Sequence, residues 1–350
     1  MRLGGFGASE WTCTGRPFSA STMQVQRVCP GPAEPAFYSL ERYICSPMKG
    51  PKLAQRSNRT FAPMCFMPRL RTPRFSRWIK DKDWQRFKSD GYMVIRGVIP
   101  TCLTTKAALD IAAFVGADIY DSTTWYRGPA VNDGLVPLHH AQSLWDIRQS
   151  PRLHQVFSEY WGTHKLMVDI NRCCFRPPCH PDWPTFSRGE IHWDTDPRTG
   201  GEGSLQGIVL LTDVGRDAGG FQCLPDVYQN LEIWLAEHAQ REDFNFFKPG
   251  LNHRETLQIE GKAGDLILWS TRLPHGPAPN HSTKPRIAAF VSMGPPLDSP
   301  ELRAQMKEWW SNKQAPVYWR GLPGQLEIEP GPPAKLTKLG MKLIGMLSWD

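Results

Sequence analysis

His192 and Asp194 stand two positions apart in Glu190-Ile191-His192-Trp193-Asp194, and His275 follows His192 by 83 residues, in Leu273-Pro274-His275-Gly276. On an extended strand, residues i and i+2 leave the same face, so the first two side chains can converge on one point. A third ligand has to come from a distant part of the chain, which limits the fold to one that brings far-separated strands together. His275 comes just after Ala263-Gly264-Asp265-Leu266-Ile267-Leu268-Trp269, an apolar run bounded by turn signals that reads as a buried strand. Two imidazoles and one carboxylate on one face of a metal are the donor set of non-haem Fe(II), which leaves positions open for a co-substrate and O₂. The pattern therefore predicts an oxygenase-type centre with His192, Asp194 and His275 as metal ligands and catalytic core.

Arg286 follows His275 by eleven residues and opens a further strand-like run, Arg286-Ile287-Ala288-Ala289-Phe290-Val291-Ser292. If the two strands adjoin, the guanidinium enters the cavity of the metal. A dicarboxylic keto acid that chelates iron through its keto and C1 carboxylate groups would leave its far carboxylate there, for a bidentate grip by arginine. The ordered set resembles the phytanoyl-CoA dioxygenase-like branch of the Fe(II)/2-oxoglutarate oxygenases, which carries His-x-Asp, then His, then Arg eleven later. The likeness extends to Gly219-Gly220-Phe221-Gln222-Cys223-Leu224-Pro225, to Asn280-His281-Ser282 with Pro285-Arg286, and loosely to the tail Lys335 to Gly345, so it spans roughly residues 78 to 350.

Helices gathered at the front and β-like runs in the second half indicate a mainly β fold, an antiparallel double sheet with flanking helices. The resemblance implies a double-stranded β-helix core, jelly-roll and cupin-like. It also implies Fe(2+) as the metal, with 2-oxoglutarate and O₂ as co-substrates. In the family, the strand matching Leu166 to Phe175 lines the 2-oxoglutarate pocket with a polar side chain; Asn171 and Arg176 both qualify. Gln206 is polar within the apolar run Leu205 to Val214 and must find a partner, either a co-substrate carboxylate or a neighbouring strand. The carboxylate at Asp194 favours hydroxylation, desaturation or ring formation, because halogenating relatives need a small residue there. One departure is Pro277, where relatives often place a hydroxyl that touches 2-oxoglutarate; Ser292 or Asn171 would have to compensate.

Trp193, Phe175, Trp183 and Phe221 are the expected substrate walls, which suits a small, partly apolar natural product and a role in secondary metabolism. No Lys/Arg cluster for the phosphates of an acyl-CoA stands near these residues. A peptidyl or protein hydroxylase remains the alternative on the same fold. From other classes come a non-catalytic jelly-roll binding module and a zinc hydrolase; the intact triad and Arg286 count against the first, and Arg286 against the second.

Composition adds the boundaries. Residues 1–77 hold twelve Lys/Arg and three acids, a balance of +9 that leaves −2 for the remainder of a chain whose net charge is +7. A nearly neutral body gives no electrostatic reason to expect nucleic acid as a partner. The same stretch is rich in Pro, Gly, Ser and Arg without either period, and reads as a disordered or targeting extension before an oxygenase domain at 78–350. Few acids and many arginines also mark transit peptides. The expected location is therefore cytoplasmic, with organelle import as the alternative. Nine cysteines, an odd number, fit reduced thiols, and no apolar run approaches the ~20 residues of a membrane span.

Overall fold

The structure is a computed structural model that describes residues 78–126, 134–184, 189–199, 204–240, 243–296, 299–321 and 324–350. The expected extension at 1–77 lies outside the described residues. Six antiparallel strands form the larger sheet, in the order β1 (Tyr92–Ile95), β8 (Leu266–Ser270), β5 (Leu205–Leu210), β10 (Arg286–Val291), β4 (Cys173–Arg176), β2 (Leu135–Val136). A smaller sheet has the order β7 (Leu257–Ile259), β6 (Phe221–Cys223), β9 (His275–Pro277), and His192 adds to its β9 edge by a single antiparallel bridge to His275. β3 (Met167–Val168) pairs with β11 (Met293–Gly294) in a separate ribbon. Two antiparallel sheets facing each other form the jelly-roll.

The larger sheet is buried on both faces, which explains why its strands read as continuous apolar runs rather than alternating ones. One face carries Cys173, Phe175, Val209, Leu266, Leu268, Ile287 and Ala289, packed against the helices α2 (Thr101–Phe114), α3 (Gln142–Arg148) and α4 (Pro151–Trp161). The other face carries Cys174, Ile208, Leu210, Ile267, Trp269 and Ala288 and meets Phe221, Cys223 and Ile259 of the smaller sheet. Each fully buried Leu or Ile in these layers contributes about 1.5–3 kcal/mol relative to exposure.

One expected element changes. The run Leu166 to Phe175 is not one strand: β3 and β4 belong to different sheets and the chain between them crosses over. Because β7 lies in the smaller sheet and β8 in the larger, the turn Gly261 to Gly264 carries the chain across the jelly-roll. Helix α2 begins at Thr101, with Pro100 in extended conformation at its cap position. No helix among the described residues is long and apolar enough to cross a membrane.

Candidate active site

The segment that carries the first two expected ligands is not a full strand: His192 makes a single bridge to His275, and the flanking residues are tied by individual hydrogen bonds. Its backbone N–H at His192 donates to the His275 carbonyl at 2.9 Å, and the reverse bond is 3.0 Å. Ile191 N–H donates to Asn252 Oδ1 at 2.8 Å and Trp193 N–H to the Phe246 carbonyl at 2.9 Å. Gly276 must be glycine for this approach, since a Cβ there would collide with the Glu190 carbonyl oxygen. Gln222, 4% exposed, ties the same region together by donating to the Gly189 and Pro277 carbonyls while accepting from Thr256.

On this frame His192, Asp194 and His275 offer three ligand atoms within 4.8 Å of one another, and they are the only such group among the described residues. His192 Nε2 lies 3.5 Å from Asp194 Oδ1 and His275 Nε2 lies 3.3 Å from Asp194 Oδ2. Each imidazole Nδ1 faces a carbonyl two residues upstream, Glu190 O at 3.2 Å and Leu273 O at 2.9 Å. A carbonyl can only accept, so Nδ1 carries the proton and the neutral ring turns its Nε2 lone pair toward Asp194. Three electron-pair donors this close require a cation or a proton among them. The fit to a divalent metal is direct, because donors on one octahedral face stand ~3 Å apart when each bond is ~2.1 Å. The side chains of His192 and Asp194 keep 26% and 35% exposure, so an opening leads to the metal-facing atoms, whereas His275 is 7% exposed.

Electrostatics agree with the geometry. Burial alone would lower the His192 pKa, but hydrogen bonding and charge from Asp194 raise it above the ordinary value. Burial would raise that of Asp194, yet the two imidazoles hold it well below the usual carboxylate range. In the metal-free protein the pair stabilises the fold at pH above the unfolded Asp value near 3.9, and that contribution is lost as pH rises through the folded His192 value. A metal has to displace the His192 proton. Its affinity is therefore expected to rise with pH up to that value and to fall about tenfold per unit below it, as measured by Fe(II) titration across pH 5 to 8; a flat profile would contradict the assignment.

Arg286 lies on the inner face, 5% exposed, directly opposite Arg176 of β4. Its Nε donates to the Gly219 carbonyl at 2.8 Å, and its buried Nη1 has no hydrogen-bond partner among the described residues. Gly219 has φ +70° and a Cβ there would press on the Asn280 side chain at 2.8 Å, so glycine sets the carbonyl that aims Arg286. An orphaned guanidinium nitrogen in such a place suits a carboxylate. Phe221 stacks on His275 with ring centroids 5.5 Å apart, and Trp269, which sequence reasoning left out, packs against both at 4.7 and 5.1 Å.

The remaining expected residues are placed differently. Gln206 Nε2 donates to Asp194 Oδ2 at 2.8 Å, orienting the carboxylate. Phe175 points into the helix-packed layer, and Asn171, on the same side of the chain, bonds Asp169 Oδ2 at 2.7 Å. Trp193 is fully buried on the far side of its segment, packed with Leu231, Trp234 and Leu235 of α6 (Leu231–His238), its indole donating to the Arg272 carbonyl at 2.9 Å. Trp183 stacks with Tyr126, centroids 6.2 Å apart, in the loop after β4. Ser292 donates to the Leu205 carbonyl at 3.3 Å. Arg176, weighed against Asn171, is the inward-facing one of the two and is fully buried.

A jelly-roll with a His-x-Asp and distant His at the mouth between its sheets, and a buried arginine beyond, defines the Fe(II)/2-oxoglutarate-dependent oxygenases. Comparison with known proteins agrees. The sequence profile of phytanoyl-CoA dioxygenase (PhyH) matches residues 87–288, and the chain belongs to that family. A relative described as a putative phytanoyl-CoA dioxygenase from Dictyostelium discoideum is 22% identical over 275 residues, covering 64% of this chain and 78% of its own length. The Ava biosynthesis cluster protein O of Aspergillus versicolor is 24% identical over 262 residues, covering 65% and 82%. Among solved structures, a putative oxidoreductase from Salmonella typhimurium LT2 superimposes with TM-score 0.52 at 16% identity, covering 76% of this chain and 83% of that one. The protein is an oxidoreductase that uses Fe(II) and 2-oxoglutarate.

Gln206→Leu is expected to weaken metal binding 10- to 100-fold, since partners that orient a ligand typically carry that much. Retained iron content after dialysis would show that Asp194 is held without it.

Proposed function

We propose that this enzyme hydroxylates, desaturates or cyclises a small, partly apolar organic molecule, as a tailoring step in secondary metabolism. The observation that carries it is the convergence of His192, Asp194 and His275 beside the unpartnered Nη1 of Arg286. In this reading residues 78–350 form the catalytic domain, with the three side chains as metal ligands and Arg286, seconded by Arg176, as the grip on the distal carboxylate of 2-oxoglutarate. When bound, Fe(II) and 2-oxoglutarate supply oxidising power from O₂, with the co-substrate consumed to succinate and CO₂.

The chain's own residues supply placement. The Nδ1–H groups of His192 and His275 hold both rings with Nε2 toward the metal, and Gln206 fixes Asp194. Phe221 and Trp269 cover His275 from the core side and exclude water there. The name of the Aspergillus versicolor relative, a biosynthesis cluster protein, supports the metabolic setting.

Anaerobic titration with Fe(II) and then 2-oxoglutarate is the test. A visible charge-transfer band saturating at one equivalent is expected. Iron binding without that band would remove the co-substrate role, and no iron binding would remove the centre itself.

A further inference from the structure

Beside the metal-facing atoms the inner face holds a second set of orphaned polar groups. Trp269 is 2% exposed, and its indole Nε1 has no hydrogen-bond partner among the described residues; the same holds for the buried Oε1 of Gln206. One is a donor and the other an acceptor, and a buried group left unpaired calls for an explanation. Gln206 and Trp269 are direct partners in the antiparallel register of β5 and β8. Their side chains therefore leave the same face, with Cβ atoms about 5 Å apart.

Each group is held from its other side. Gln206 Nε2 donates to Asp194 Oδ2 at 2.8 Å. A flip of the amide would set its oxygen against the carboxylate, so Oε1 has to find a donor elsewhere. The Trp269 ring lies against Phe221 and His275, with centroids 4.7 and 5.1 Å apart. The far carboxylate of 2-oxoglutarate is not the group its N–H awaits: Ala288, two residues past Arg286, already pairs with Leu210 at the opposite end of β5 from Gln206. Four residues of strand, ~13 Å, separate the two rows. Sharing Asp194 with a cation withdraws charge from the carboxylate that Gln206 grips. A hydrogen bond received at Oε1 polarises the amide and makes its N–H a stronger donor, which offsets that loss.

We infer that Trp269 is a positioning residue of the loaded centre: its indole N–H donates to Gln206 Oε1, and the chain of indole, amide and carboxylate aims Asp194 at the metal. Only a side-chain adjustment is needed, since the two residues already stand opposite each other. This role rests on the oxygenase reading and adds to it a residue that acts through Gln206.

In the test, the full chain carrying isotope-labelled tryptophan is titrated with Zn(II), a diamagnetic stand-in for iron, and then with 2-oxoglutarate, while the indole N–H signals are followed by NMR. The Trp269 signal, identified by its absence in Trp269→Phe, is expected to move downfield on Zn(II) in the unaltered chain and to stay in place in Gln206→Leu saturated with Zn(II). By calorimetry Trp269→Phe, which keeps an aromatic ring, should weaken Zn(II) binding about three- to tenfold, less than the 10- to 100-fold typical of a direct partner of a ligand. In the Gln206→Leu background the same substitution should cost nothing more, because the path to Asp194 is already cut; a ring that merely packs would give additive losses. Additive losses, unchanged Zn(II) affinity in Trp269→Phe, or an indole signal that moves only on adding 2-oxoglutarate would each overturn the assignment. Should Trp269→Phe not fold, the unaltered chain and Gln206→Leu still decide: one indole signal that shifts in the first and stays in the second supports the assignment, and identical shifts overturn it. Failure of Zn(II) to bind the unaltered chain would instead remove the metal centre itself.

Discussion

His275→Ala is expected to abolish Fe(II) binding and turnover while leaving the fold in place. The two hydrogen bonds that join His275 to His192 are made by backbone atoms, so alanine keeps them. What is lost is one Nε2 of three donors. Removing a mere orienting partner already costs 10- to 100-fold in affinity, so loss of a ligand should exceed ~10²-fold. Iron content by elemental analysis and succinate release measure the two effects. A variant that retains one iron per chain and its turnover would show that the metal is held elsewhere.

Arg286→Leu should raise the concentration of 2-oxoglutarate needed for half saturation by ~10²- to 10³-fold. The far carboxylate would then be buried with its main partner removed, at about 3–5 kcal/mol. Arg176 stands directly opposite and does not rescue the loss in full, because only Arg286 is aimed by the Gly219 carbonyl. Arg286→Lys keeps the charge but loses the fork, so an intermediate value is expected. The charge-transfer titration reads both, and co-substrate affinity equal to that of the unaltered protein would take Arg286 out of the pocket.

The convergence of His192, Asp194 and His275 was legible because it needs only the two-residue period of a strand and one distant histidine. The parity of side chains along strands was also present in the sequence but harder to use. With His192 and Asp194 on one face, Trp193 between them had to point away, and it does. On β4 both faces are buried, so the apolar run Cys173-Cys174-Phe175 hides which side is which; only the register with Arg286 shows that Arg176 looks inward while Phe175 looks toward the helices. Gln206 needed a partner, as its surroundings required, but that partner is the metal-facing carboxylate itself. The crossing at Gly261 to Gly264 is not visible in the sequence, because two strands flank a short glycine turn in a hairpin as well.

The backbone attachments of the ligand segment point to a separate mode of failure. The backbone N–H groups of Ile191 and Trp193 hang from Asn252 and the Phe246 carbonyl. Damage to the stretch between Phe244 and Asn252 should therefore surface as iron leaking from an otherwise intact protein, well before any drop in melting temperature.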